Sequence, residues 1–192
     1  MGIRPFTSRP KAGLRKFGVM QVAPSDFLVQ ATKRPRGFRV LDRTQQVLSE
    51  VRQPSFWSRD MEGTAGGLHL RIASEGLWRA RYGVYVQGLR TGTICTAAWA
   101  TLRLSLAMKD LPPVELQFAR TGLFTPGYEL RLAKDLPLLE LEPVFHWATF
   151  LTDHAVRVRA QGIGPEQQPL VLALSGFCAR LLRSRTHGGA AS

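Results

Sequence analysis

The sequence is poor in cysteine, in acidic side chains and in long apolar runs. Cys95 and Cys178 are the only cysteines in 192 residues. Two thiols build no disulfide framework, which favours a reducing compartment, and no Cys-x-x-Cys pair offers zinc a thiolate site. His-Glu-x-x-His is missing as well. Ala173-Leu-Ser-Gly176 fails Gly-x-Ser-x-Gly at its first position. Gly162-Ile-Gly164 lacks the third glycine and the strand–turn–helix setting of a nucleotide-binding loop. The N-terminus is basic but has no apolar stretch of the secretory kind, and no run is long enough to cross a bilayer as a helix. Acidic residues number 14 against 26 basic ones, for a formal charge of +12. Arginine dominates that surplus, which points to anionic partners: nucleic acid, acidic lipid or acidic protein.

What is abundant is alternation. Leu68, Leu70 and Ile72 interleave with His69 and Arg71; Leu102, Leu104 and Leu106 with Arg103 and Ser105; Val114, Leu116 and Phe118 with Glu115 and Gln117; Tyr128, Leu130 and Leu132 with Glu129 and Arg131. Period two predicts strands with one apolar and one polar face. Phe17–Val22, Phe27–Ala31, Phe38–Leu41, Val47–Val51, Trp78–Val86, Thr93–Ala98, Leu138–Leu141, Val144–Leu151 and Val156–Val158 extend the series to about a dozen strands. Turns are expected at Pro24-Ser-Asp26, Gly88–Gly92, Pro126-Gly127 and Asp153-His154, and a hairpin loop at Asp42–Gln46.

One segment breaks the period. Leu170, Leu174, Phe177 and Leu181 recur at helical spacing behind Pro169, and the opposite face, with Leu172, Ala173, Gly176 and Ala179, is apolar too. A helix of residues 169–183 that is apolar all round has to be enclosed. Gly176 implies close approach of another backbone, and Arg180, Arg183 and Arg185 suit the negative end of the helix dipole. Closing the sheet removes its edges, and a barrel much wider than eight strands needs a filler. The expected fold is therefore mainly β: a closed antiparallel barrel of about twelve strands around a buried C-terminal helix. Residues 1–16 read as a basic arm, 17–185 as one domain and 186–192 as a short polar tail.

The hairpin Phe38-Arg-Val-Leu-Asp-Arg-Thr-Gln-Gln-Val-Leu-Ser-Glu-Val51 and the closing order Leu139-Glu-Leu-Glu-Pro-Val-Phe-His-Trp147, Ala155-Val-Arg-Val158, helix resemble the tubby-like C-terminal fold. The likeness is to its small LURP-one-related type, which is kin to the phospholipid scramblases, and it spans roughly residues 17–183. It implies a twelve-stranded barrel around a hydrophobic helix and a membrane-tethered or lipid-interacting module. The acidic calcium-binding segment and second terminal hydrophobic stretch of scramblases are absent from this sequence, so scrambling is not implied.

Candidate chemistry is sparse. Glu140 and Glu142 share a strand face, either as a cation or acid–base pair or as a solvated face beside arginines. His146 and Trp147 read as packing in an apolar strand. No catalytic residue, metal or cofactor is expected, and the chain reads as a non-enzyme. The densest cationic cluster is Lys33, Arg34, Arg36, Arg39 and Arg43, a phosphate-contacting patch if the side chains converge and a solvated loop if they do not. Phe56 and Trp57, with Arg59 beside them, either pack in the core or form an aromatic platform for bases or a lipid interface. The preferred partner is an anionic lipid surface, met from the cytoplasm as a peripheral protein at the inner face of the membrane. Single-stranded nucleic acid and a protein partner are the alternatives. Exposure of Trp57, Trp78 and Trp99 discriminates, since exposed aromatics aligned in a basic groove would favour nucleic acid.

Overall fold

The computed structural model describes residues 26–76, 81–107, 113–122, 127–132, 136–159 and 163–188. The basic arm, the expected strand 17–22, Trp78 and residues 189–192 lie outside them. Twelve strands follow in order: β1 (Phe27–Thr32), β2 (Gly37–Asp42), β3 (Val47–Arg52), β4 (Met61–Ala65), β5 (Leu68–Glu75), β6 (Arg81–Val86), β7 (Leu89–Ala98), β8 (Thr101–Leu106), β9 (Val114–Thr121), β10 (Gly127–Leu132), β11 (Leu136–His146) and β12 (Leu151–Val158); helix α1 (Gln168–Gly188) ends the series. Each strand pairs antiparallel with its sequence neighbours, and β12 returns to β1, closing the barrel. The helix overruns its expected end, so residues 186–188 of the supposed tail belong to it.

The alternation sets the inside and the outside. Phe38 and Val40 point in while Arg39 stays exposed; Leu70 and Ile72 are buried around exposed Arg71; Leu102, Leu104 and Leu106 are buried around Arg103. Two expected turns are corrected. The chain reverses at Gln87-Gly88, both with positive φ, so β7 starts at Leu89 and Gly92 lies within it. Gly92 is there for space, because a Cβ would meet the Ser105 carbonyl oxygen at 2.5 Å. Asp153-His154 is strand, not turn; the reversal falls four residues earlier, where Thr149 and Phe150 donate backbone N–H bonds to the His146 carbonyl. Local polarity suggested a turn at Asp153, but its buried carboxylate accepts the Ala31 N–H from β1, a partner that only barrel closure supplies.

Helix α1 fills the barrel. Val171, Leu172, Ala173, Leu174, Phe177, Cys178, Ala179 and Leu182 are all buried, around the whole circumference of the helix. Ser175 is buried too and satisfies its hydroxyl by donating to the Val171 carbonyl at 2.8 Å. Gly176 admits side chains rather than the expected backbone: a Cβ would meet the Phe38 ring at 2.8 Å and Val29 at 3.0 Å. Burial pushes the Cys178 thiol up, so it packs as a small apolar group.

Because the barrel is an up-and-down meander, its two ends are distinct. The odd-numbered strands all end, and the even-numbered strands all begin, at one end, here the upper rim. The helix starts at the lower end, where Ser49 Oγ donates to the Pro169 carbonyl, and finishes at the upper rim, where Arg180 donates to the Gly37 carbonyl. The outer wall carries ion pairs, among them Arg39–Glu50, Arg71–Glu62, Arg157–Glu142 and Arg159–Glu140. An apolar lumen inside a charged wall inverts the pattern of a membrane-spanning barrel. No described helix is long and apolar enough to cross a membrane.

The helix stabilises the barrel by on the order of 10 kcal/mol of apolar burial, an upper bound set by the extended-chain reference. Leu174 is fully buried, so Leu174→Arg puts an unpaired charge at the barrel axis and is expected to abolish cooperative folding. Circular dichroism melting tests this, and a soluble variant with a cooperative transition would contradict the filled-barrel account.

Candidate anion-binding site at the barrel rim

The closing seam is the shortest in the barrel. β1 and β12 pair only through Phe27↔Val156, Leu28↔Ala155 and Val29↔His154. Above Val29 the two strands part, although β1 stays paired with β2 up to Thr32↔Gly37 and β12 with β11 back to His146↔Leu151. Strand backbone that loses its partner has to be satisfied otherwise. Asp153 does this at the upper end, accepting the Ala31 N–H at 2.8 Å through Oδ1, while Oδ2 lies 2.9 Å from His146 Nε2. Asp26 does it at the lower end, where its Oδ2 accepts the Val158 N–H at 2.8 Å and its Oδ1 pairs with Arg43.

A pocket of about 1000 Å³ opens where the strands part. Its floor is the end of α1, with Arg180, Arg183 and Ser184; its walls are the β1–β2 loop, residues 53–56 of the β3–β4 loop, and Phe150 to Thr152 with His154. Among the described residues, five cationic side chains line it, Lys33, Arg34, Arg36, Arg180 and Arg183, and no Asp or Glu does. Arg36 also sits over the Phe56 ring, 4.6 Å from its centroid. Arg180 gives its Nη1 proton to the Gly37 carbonyl at 2.9 Å. Its pKa is lowered by burial first, then by the Arg36 and Arg183 charges.

The five cations expected from the sequence therefore separate. Lys33, Arg34 and Arg36 converge on the pocket. Arg39 lies on the outer wall against Glu50 at 3.1 Å, and Arg43 is held at the lower end by Asp26. Arg180 and Arg183 replace them, more than 140 residues along the chain from the β1–β2 loop. Their sequence signal, a run of arginines closing an apolar helix, is equally well explained by the helix dipole, and only the direction of α1 sends them here. Glu140 and Glu142 are paired with Arg159 at 2.6 Å and Arg157 at 3.0 Å, on the solvated wall.

His154 is the polar group that sequence reading placed in a turn. It is 6 % exposed, lines the pocket, tilts against the Tyr128 ring at 5.6 Å, and its Nε2 has no hydrogen-bond partner. Burial, reinforced by the Arg183 charge, depresses its pKa to about 4.

No family model, curated protein or solved structure matches the chain.

The aromatics also gather at the upper rim, and the core-packing reading of Phe56 and Trp57 is overturned. Trp57 is 87 % exposed and Phe56 63 %, in an edge-to-face pair at 5.1 Å. Trp147 is 78 % exposed rather than packed, and His146 turns away from the core to meet Asp153. Phe145 binds that loop together, 4.9 Å from Trp147 and 6.4 Å from Phe150. Trp99 is exposed as well, on the β7–β8 loop. Trp57, Trp99 and Trp147 thus occupy alternate hairpins, β3–β4, β7–β8 and β11–β12, each four strands from the next around a ring of twelve. At about 4.8 Å per strand, neighbouring loops stand roughly 19 Å apart along the wall.

His154 gives the site a pH signature. Its pKa is depressed in the folded protein, so between pH 6.5 and about 4 the unfolded chain takes up a proton that the native ring does not. Stability is then lost as pH falls through that window, by about 3 kcal/mol at its lower end. Urea denaturation at pH 7.5, 5.5 and 4.5 is expected to show this slope, and His154→Gln to flatten it; an unchanged slope in the variant would assign the acid sensitivity elsewhere.

Proposed function

We propose that the protein is a non-enzymatic module that docks through the upper rim of its barrel on anionic membrane lipid, as a peripheral protein of the cytoplasmic face. The observation that carries this reading is the joint placement of three exposed tryptophans on alternate hairpins and of the carboxylate-free cationic pocket at one end of the barrel. Platforms spread around a ring suit a flat partner. A single nucleic-acid strand instead uses stacking platforms set along one groove. Tryptophan is at home at the level of lipid headgroups, with its ring in apolar surroundings and its N–H in water. The resemblance to tubby-like and LURP-one-related proteins points the same way, and a closed barrel around a hydrophobic helix is the architecture which that resemblance implies.

Charge segregation strengthens it. On the wall, arginines are matched with carboxylates: Arg39 with Glu50, Arg71 with Asp60 and Glu62, Arg90 and Arg81 with Glu75, Arg157 with Glu142. In the pocket, Lys33, Arg34, Arg36, Arg180 and Arg183 share one lining. Each basic side chain near an anionic leaflet contributes about 1 kcal/mol, within a Debye length of roughly 8–10 Å. Three loop cations and a few inserted rings give reversible recruitment rather than a permanent attachment.

Flotation with vesicles containing phosphatidylglycerol is expected to recover the protein at low salt, and much less at physiological salt. Vesicles of phosphatidylcholine alone should not recover it. Arg34→Glu with Arg36→Glu should weaken binding by roughly 30-fold or more. Arg39→Gln with Arg43→Gln, on the wall and at the lower end, should change it little. Protein that ignores anionic vesicles at low salt yet holds single-stranded oligonucleotides tightly would replace this reading with nucleic-acid binding.

A further inference from the structure

The pocket is more than a charged patch. A flat anionic surface needs only exposed cations, whereas here a polar ring is buried inside the charged cleft. His154 is 94 % buried from its 6 % exposure, and its Nε2 is left without a partner. A buried unpaired ring nitrogen costs about 1–3 kcal/mol, a penalty that a ligand atom would relieve. Arg180 lines the same cleft, its pKa lowered by burial first and then by the Arg36 and Arg183 charges. An unpaired buried ring nitrogen and a partly buried guanidinium thus line one cleft.

We propose that this cleft binds one phosphomonoester group, with His154 Nε2 and the cations of the β1–β2 loop and α1 as its ligands. The inference rests on the reading of the rim as an anionic-lipid site and names the headgroup chemistry that the pocket selects. A terminal phosphate carries close to two charges near pH 7 and three strong acceptor oxygens. A phosphodiester has one charge and two free oxygens. Five cations with no carboxylate among them favour the dianion. Guanidinium forks suit paired phosphate oxygens, and the neutral His154 ring has one N–H to give to the third. The volume of about 1000 Å³ exceeds what a phosphate fills, and the surplus space runs along Phe56, Phe150 and Leu151. An apolar flank beside a cationic floor fits an amphiphile whose phosphate is terminal, such as a phosphatidate. A soluble phosphomonoester shares the phosphate chemistry but leaves the flank unused.

Calorimetry separates the cases with three monomeric probes: dihexanoyl phosphatidate, dihexanoyl phosphatidylglycerol and glycerol 3-phosphate. Phosphatidate is expected to bind at least about tenfold more tightly than phosphatidylglycerol, whose chains are the same but whose phosphate is a diester. Glycerol 3-phosphate matching phosphatidate would support the phosphate site and assign it to a soluble ligand; weaker binding assigns it to the lipid. His154→Gln is expected to erase the monoester preference. If that variant misfolds by circular dichroism, Arg34→Gln, on an exposed loop, carries the test and should reduce phosphatidate affinity severalfold. Equal affinity for the two lipids, or no binding of any phosphomonoester, would overturn the proposal. Flotation on phosphatidylglycerol vesicles reads the membrane role separately. A protein that floats but does not discriminate keeps that role and loses this site.

Discussion

Everything in this protein depends on filling a twelve-stranded barrel. Eight strands enclose a space that their own side chains can occupy, but twelve leave a lumen too wide for that. Helix α1 occupies it and is apolar on every face because every face meets sheet. The strands supply the complementary surface, with Val40, Val51, Leu70, Val84, Ile94, Leu104, Phe118, Leu130 and Leu141 all turned inward. Neither part can stay in water alone. Sheet and helix are therefore one cooperative unit, and the Phe38 ring pressed on Gly176 marks how little slack it has.

Filling the barrel also fixes its polarity. A helix inside a cylinder has two directions available, and the chain leaves β12 at the lower end, so α1 must run upward. Its arginines then arrive at the upper rim, beneath the β1–β2 loop with three cations of its own. The helix carbonyls at that end are partly negative, and Arg180 meets a strand carbonyl there as well. The positive surplus is held in place by backbone dipoles while its side chains face a common cleft. On the wall, where no such arrangement exists, arginine is matched to carboxylate across neighbouring strands.

Closure has a consequence of its own. The first and last strands meet over three residue pairs, and each end of that short seam is finished by an aspartate side chain that replaces a ladder bond. At the lower end Asp26 closes the wall. At the upper end Asp153 lets the wall stay open, because it satisfies Ala31 without bringing β1 back to β12. The same carboxylate reaches His146 at the base of the loop that carries Trp147 and Phe150. One buried side chain thus connects the basic loop, the aromatic loop and the cleft between them.

The sequence by itself determined the class of fold. Alternation in Leu102–Leu106 or Leu68–Ile72 is dictated by the two-residue period of a strand, and the all-round apolar character of Leu170–Ala179 requires enclosure. It also determined that positive charge would be in excess and that the β1–β2 loop would hold part of it. Tertiary structure alone decided which charges matter. Arg39 lies one residue from buried Phe38 and looks equivalent to Arg36, yet strand alternation turns it to the wall and Glu50 neutralises it. Arg180 and Arg183 are far from that loop in sequence and reach it only because α1 crosses the barrel from end to end. Asp153 and His154 read locally as a turn, since no neighbour in sequence shows that one would cap a seam and the other be buried beside Tyr128. Trp147 follows an apolar strand, and whether it is covered depends on what stands opposite; at a rim, nothing does. Period and composition are local quantities and survive in one dimension. Charge pairing and burial are sums over neighbours brought together by closure, and those neighbours are absent from the sequence until the barrel forms.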